Sequence, residues 1–181
     1  MTRPARNRLL VVVFMVAAFF AAPRLSDAVL WGAAALATPV VLLALWVTRP
    51  FNRARTLLRT KKYDEAAAEL AAFEASLTQA PWKRPLAAIS VGLYTSNPVA
   101  AARNTLGAVR LEQGKLDEAH GHFQAALQQD PGYAVPWGNL AVLAAMHGDA
   151  KAAEEARLKA EALGFKPKLL ADVIREKLAA R

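Results

Sequence analysis

The chain opens on two uncharged apolar runs, residues 9–22 and 28–47, and from residue 51 onward apolar and polar positions alternate at helical spacing. The second run reaches about 30 Å at about 1.5 Å per residue, the thickness of a hydrocarbon core. The first spans only about 21 Å by the same rise, so crossing requires local thinning or snorkelling by Arg8 and Arg24. Further along, Leu106, Gly114, Ala119 and Ala126 recur after 34 residues as Leu140, Gly148, Ala153 and Ala160. A period of that length marks a helical repeat. Helical spacing on both sides of a central glycine predicts two helices per unit, with the glycine closing the first in the left-handed conformation. One such hairpin cannot bury its own apolar face, so neighbours must stack. The expected fold is all-α: two N-terminal transmembrane helices, then a short helical solenoid with a C-terminal capping helix.

Residues 100–133 carry Leu106-Gly107, Gly114, Ala119, Phe123, Ala126 and a closing Pro131. In these positions they resemble the tetratricopeptide repeat, a family of helix-turn-helix units that usually bind other proteins. The unit at 134–166 is similar in Trp137, Leu140-Ala141, Gly148, Ala153 and Ala160, but Arg157 stands where a large apolar residue is expected and Phe165 replaces the proline. It reads as a terminal, partly polar unit. Gly107 or Ala141 and Ala119 or Ala153 are small where paired helices cross, which lets the axes approach to roughly 8–10 Å. A weaker match covers 51–78. There Tyr63-Asp64-Glu65-Ala66 with Leu70 and Phe73 parallels Leu116-Asp117-Glu118-Ala119 with Phe123 and Ala126, at an offset of 53 residues, one period plus an insertion of 19. A degenerate repeat hairpin is expected.

The N-terminal segment admits two readings. Trp31 and Trp46 stand near the ends of the second run, where indoles favour the headgroup boundary. The basic residues 1–8 (Arg3, Arg6, Arg8) and the short first run also fit a signal peptide cleaved near Ser26-Asp27-Ala28, which would leave the second run as a lone anchor. The uncleaved hairpin over 9–47 is preferred, because a second apolar run follows at once and Pro23 directly follows Ala21-Ala22. Small residues, Ala17, Ala18, Gly32 and Ala35, would let its two helices touch.

Charge sets the expected orientation. Residues 1–62 hold ten Lys or Arg against Asp27 alone, a net +9, and residues 63–181 hold thirteen against fourteen acids, a net −1, which together give the +8 of the chain. The positive-inside rule puts the N-terminus and the repeats in the cytoplasm, with residues 23–27 as the outer turn. Near-neutral repeats also exclude nucleic acid as the reason for the basic isoelectric point. The basic run at 49–62 has a topological role and rests on anionic lipid at most.

Two further segments flank the repeats. The insertion at 79–99 breaks at Pro81 and Pro85, then presents an apolar patch at 86–94. It is expected either to pack into the repeat stack as a short helix or to lie at a membrane interface with Trp82 and Lys83-Arg84 at headgroup level. Asn97-Pro98 reads as an N-cap followed by proline at the first helical position. Gly164 ends the last repeat helix, and residues 167–181 carry Leu169, Leu170, Val173, Ile174 and Leu178 as one apolar stripe, an expected capping helix.

Catalytic chemistry finds little support. The absence of cysteine excludes disulfides, thiolate zinc sites and cysteine nucleophiles. His120 and His122, two apart on a helix, point to different sides and do not chelate a metal together. No phosphate-cradling glycine loop and no nucleophile elbow occur. The expectation is a non-enzyme with no cofactor, no metal and no small-molecule substrate: an adaptor of the bacterial inner membrane, with the lipid bilayer and a protein as its partners.

In tetratricopeptide repeats the first helix of each pair lines a concave groove. Carried over by position, the resemblance implies a partner-binding groove of Ala101, Asn104, Ala108 and Leu111 from one unit and Val135, Gly138, Asn139 and Val142 from the next. Family members that clasp a terminal carboxylate use lysines and an arginine as well. These eight positions lack them, which argues against that ligand class. Two alternatives stand beside the adaptor: an accessory or assembly subunit of an envelope membrane complex acting through its membrane hairpin, and a lipid-handling protein using the patch at 86–94.

Overall fold

The computed structural model describes residues 27–90 and 94–165 together with Asp172 and Arg175. The run at 9–22, the outer turn ahead of Asp27 and nearly all of the expected cap at 167–181 lie outside them. The described residues form helices and no strands: α1 Asp27–Arg59, α2 Tyr63–Gln79, α3 Lys83–Ser90, α4 Pro98–Glu112, α5 Leu116–Gln129, α6 Ala134–Met146 and α7 Ala150–Ala162.

Helix α1 is a single element of 33 residues with Pro39 and Pro50 inside it. It joins the apolar run at 28–47 to the first helix of the unit at 51–78, so these two segments are one continuous rod. Between Asp27 and Leu43 every residue of described exposure is exposed, including Leu36, Val40 and Leu42. Burial begins at Ala44 and continues through Val47, Thr48, Phe51, Ala54 and Leu57. That stripe follows helical periodicity and is the face that meets α2 and α3. Among the described residues one helix is long and apolar enough to cross a membrane, and the qualifying stretch is Ala35–Arg59.

Helix α2 answers with Ala66, Leu70, Phe73 and Leu77, all buried at spacings of three and four. The Phe51 and Phe73 rings meet with centroids 5.4 Å apart, and Arg53 reaches Glu69 at 3.0 Å outside them. The turn between α1 and α2 contains Lys61 in the left-handed conformation, with φ at 60°. Gly114 and Gly148 take the same conformation in the later hairpins, at 75° and 79°. Lys61 precedes Gly114 by the offset that aligns the two units in sequence.

The α4/α5 and α6/α7 hairpins pack side by side, and α4 also rests on α2. A Cβ on Gly107 would stand 2.6 Å from the ring of Phe123, itself fully buried, so the α4/α5 crossing is closer than any larger residue allows. Asn97 caps α4, its Oδ1 accepting from the amides of Val99 at 3.0 Å and Ala100 at 3.2 Å, with Pro98 at the first helical position. In α7, Arg157 pairs with Glu154 and Glu161 on its own helix. Gly164, with φ at 92°, turns the chain after α7 so that Phe165 packs on Gly138 and Tyr94.

A polar clasp ties α4 to the turn after α5. The Thr95 hydroxyl donates to Asp130 Oδ2 at 2.6 Å and accepts from the Asn97 amide at 3.0 Å, while Asn97 Nδ2 donates to the Gln129 carbonyl at 3.0 Å. Thr95 and Asp130 are both buried, so each satisfies the other where water does not reach.

Candidate partner-binding cleft

Three helices converge on a cleft of about 600 Å³. From α1 come Asn52, Arg55, Thr56, Leu58 and Arg59, from α4 come Asn104, Thr105 and Ala108, and from α6 come Val135 and Asn139. The α1 contribution follows from helix geometry. Residues 52, 55, 56 and 59 fall on one face, turned away from the buried stripe of Phe51, Ala54 and Leu57. Four of the eight residues expected from sequence therefore share one wall of the cleft: Asn104, Ala108, Val135 and Asn139.

The other four do not line it. Ala101 is buried with the α1 and α2 core, and Leu111 and Val142 are buried with Ala119 and Phe123. A Cβ at Gly138 would stand 3.1 Å from the Phe165 ring, so that position serves helix packing. These four positions face the neighbouring helices or Phe165 and not the cleft.

Two arginines of the basic run at 49–62 also enter the cleft. Arg55 and Arg59 are exposed, one turn apart, and make no ion pair among the described residues, unlike their neighbour Arg53 with Glu69. No acidic residue lines the cleft. The eight positions on α4 and α6 carry no cation, and α1 adds two to the cleft. The signal was present: if 51–78 is a repeat unit, its first helix also faces the groove, and residues 55 and 59 stand opposite its apolar stripe.

A short hydrogen-bonded chain orients the opposite wall. Asn139 Nδ2 donates to Asn104 Oδ1 at 2.9 Å, and Asn104 Nδ2 points to the Tyr133 hydroxyl at 3.5 Å. Asn104 and Tyr133 are buried, whereas Asn139 is half-exposed at the cleft surface. Burial pushes the Tyr133 hydroxyl up to about 12, against the opposing field of the Arg55 cation and with the Asp130 carboxylate adding to the rise. The phenol thus stays protonated and neutral behind Asn104, and the two guanidinium groups carry the net charge of the cleft lining.

A second hollow of about 370 Å³ lies between α5, α6 and α7, where Lys159 Nζ stands 4.4 Å from the Trp137 ring centroid. His120 and His147 both border it. Among the described residues no three His, Asp or Glu are grouped to hold a metal ion.

A comparison with protein families matches residues 110–158 to the tetratricopeptide repeat. The matched stretch begins within α4 and ends within α7, covering the α5 helix and the α6/α7 hairpin almost whole. A comparison with curated proteins finds no match.

Proposed function

We propose that this protein is a membrane-anchored adaptor, with α1 as a membrane span and the helical hairpins stacked as a short solenoid on the cytoplasmic side. In this reading the α1–α4–α6 cleft takes an extended acidic segment of a protein partner. The family match supports protein binding as the class of function. One observation carries the rest: Arg55 and Arg59 line a cleft without acidic residues, facing an Asn104–Asn139 pair already oriented by its own hydrogen bonds. Guanidinium groups held without a counterion favour carboxylates, which they engage by paired hydrogen bonds. Side-chain amides across the cleft supply the donor and acceptor that an extended backbone needs.

The test is capture from detergent-solubilised membranes using the full chain. Replacing Arg55 and Arg59 together by Glu is expected to abolish recovery of the partner while helical content and membrane localisation stay at the wild-type level. Replacing Gln128 and Glu161, which do not line the cleft, is expected to leave recovery intact. Equal recovery by both variants would move the binding site to the N-terminal membrane segment.

A further inference from the structure

The bare part of α1 ends where a cluster of two indoles and one ammonium begins. Trp46 on α1 and Trp82 just ahead of α3 are 58% and 56% exposed, and they flank one ammonium as a group and not singly. Lys83 Nζ stands 5.4 Å from the Trp46 ring centroid and 5.9 Å from that of Trp82. No carboxylate pairs with Lys83 among the described residues, so its ammonium donors are free for an anion. Arg49, one turn beyond Trp46, is exposed and makes no ion pair among the described residues.

The level of this cluster along α1 is the second observation. Asp27 to Trp46 spans about 30 Å of helix, one hydrocarbon thickness, and its residues of described exposure are uncovered by protein until Ala44. From Ala44 onward α2 and α3 clad the helix, and Ala87 of α3 is fully buried.

We infer that Trp46, Trp82 and Lys83 form a seat for the phosphate of an anionic phospholipid in the leaflet that faces the helical hairpins. The indoles lie at headgroup depth and Lys83 takes the phosphate. The seat rests on the proposed membrane anchor and goes beyond it, because it sets how the module stands. Two contacts on different helices, α1 and the start of α3, hold the module at a defined tilt to the bilayer instead of letting it swing on a tether.

The test uses the full chain with Trp31 and Trp137 replaced by Phe, so that emission reports Trp46 and Trp82 alone. In detergent micelles it is titrated with phosphatidylglycerol or phosphatidylcholine carrying brominated acyl chains, which quench nearby indoles. Phosphatidylglycerol is expected to quench at the lower concentration. Lys83→Gln is expected to raise that concentration about fivefold, the weight of one basic side chain at an anionic surface, and to leave phosphatidylcholine unchanged. Lys62→Gln, whose ammonium pairs with Glu65 at 3.1 Å, is the control and is expected to behave as the parent. Added inorganic phosphate is expected not to displace the lipid, since the indoles bind the lipid body as well as its charge. Equal midpoints for the two lipids, no effect of Lys83→Gln, or displacement by inorganic phosphate would overturn the seat while leaving the anchor standing. Absence of any quenching would overturn both.

Discussion

Lys61 and Gly107 show how much one residue decides in a hairpin stack. Lys61 adopts φ of 60°, where a side chain costs about 1–2 kcal/mol relative to glycine, and the equivalent turns use Gly114 and Gly148. Lys61→Gly is therefore expected to stabilise the protein by about 1 kcal/mol, after the entropy glycine adds to the unfolded chain. Gly107→Ala is expected to do the opposite. The new methyl meets the buried Phe123 ring at 2.6 Å, and overpacking costs about 1–3 kcal/mol, which outweighs the gain of about 1 kcal/mol in helix propensity. Urea denaturation of the two variants in the same detergent, followed by circular dichroism, checks both. A gain from Gly107→Ala would contradict the close α4/α5 crossing.

At the scale of elements, the α4/α5 hairpin is held by more than its apolar contacts. The Thr95–Asp130–Asn97 clasp joins the segment before α4 to the end of α5 through bonds that no helical periodicity encodes. Thr95→Val keeps the shape and removes the hydroxyl, so Asp130 loses a buried donor and the Asn97 backbone amide loses its side-chain acceptor. The expected loss is about 1–3 kcal/mol, read as a lowered denaturation midpoint, with Thr105→Val, whose hydroxyl bonds only its own helix at Ala101, losing less. Equal losses would mean that Thr95 contributes only its volume. The neighbouring element α3 has a comparable tie: the Arg84 Nε donates to the Leu77 carbonyl at 3.1 Å and fastens the insertion to the end of α2.

For the whole molecule, the continuity of α1 matters most. The apolar shaft and the first helix of the repeat-like unit are one rod, so the cleft that contains Arg55 and Arg59 keeps a fixed height above the level of Trp46. From Trp46 to Arg55 that height is about 14 Å at the helical rise. The proposed orientation gives a direct topological expectation. A reporter fused after Arg181 should behave as cytoplasmic and one placed between Arg24 and Asp27 as external, since the basic residues cluster in the first 62 positions. The reversed pattern would place the hairpins outside and remove the adaptor from the cytoplasmic face.

The sequence by itself determined the local features, because each rests on spacing alone. The repeat period, the glycines that end α4, α6 and α7, the Asn97 cap and the small residue at Gly107 are all short-range consequences of helical geometry. Four of the residues that line the α1–α4–α6 cleft, Asn104, Ala108, Val135 and Asn139, were legible for the same reason. Tertiary structure alone decided which repeat positions face a cleft and which are closed over, as Ala101, Leu111, Gly138 and Val142 are. It also brought Arg55 and Arg59 across to Asn104, and Trp82 beside Trp46, from stretches separated by an insertion and a hairpin. Such pairings depend on how helices cross. The crossing is set by the fit of Phe51, Phe73 and Phe123 against small neighbours, a sum of many contacts that no single spacing records.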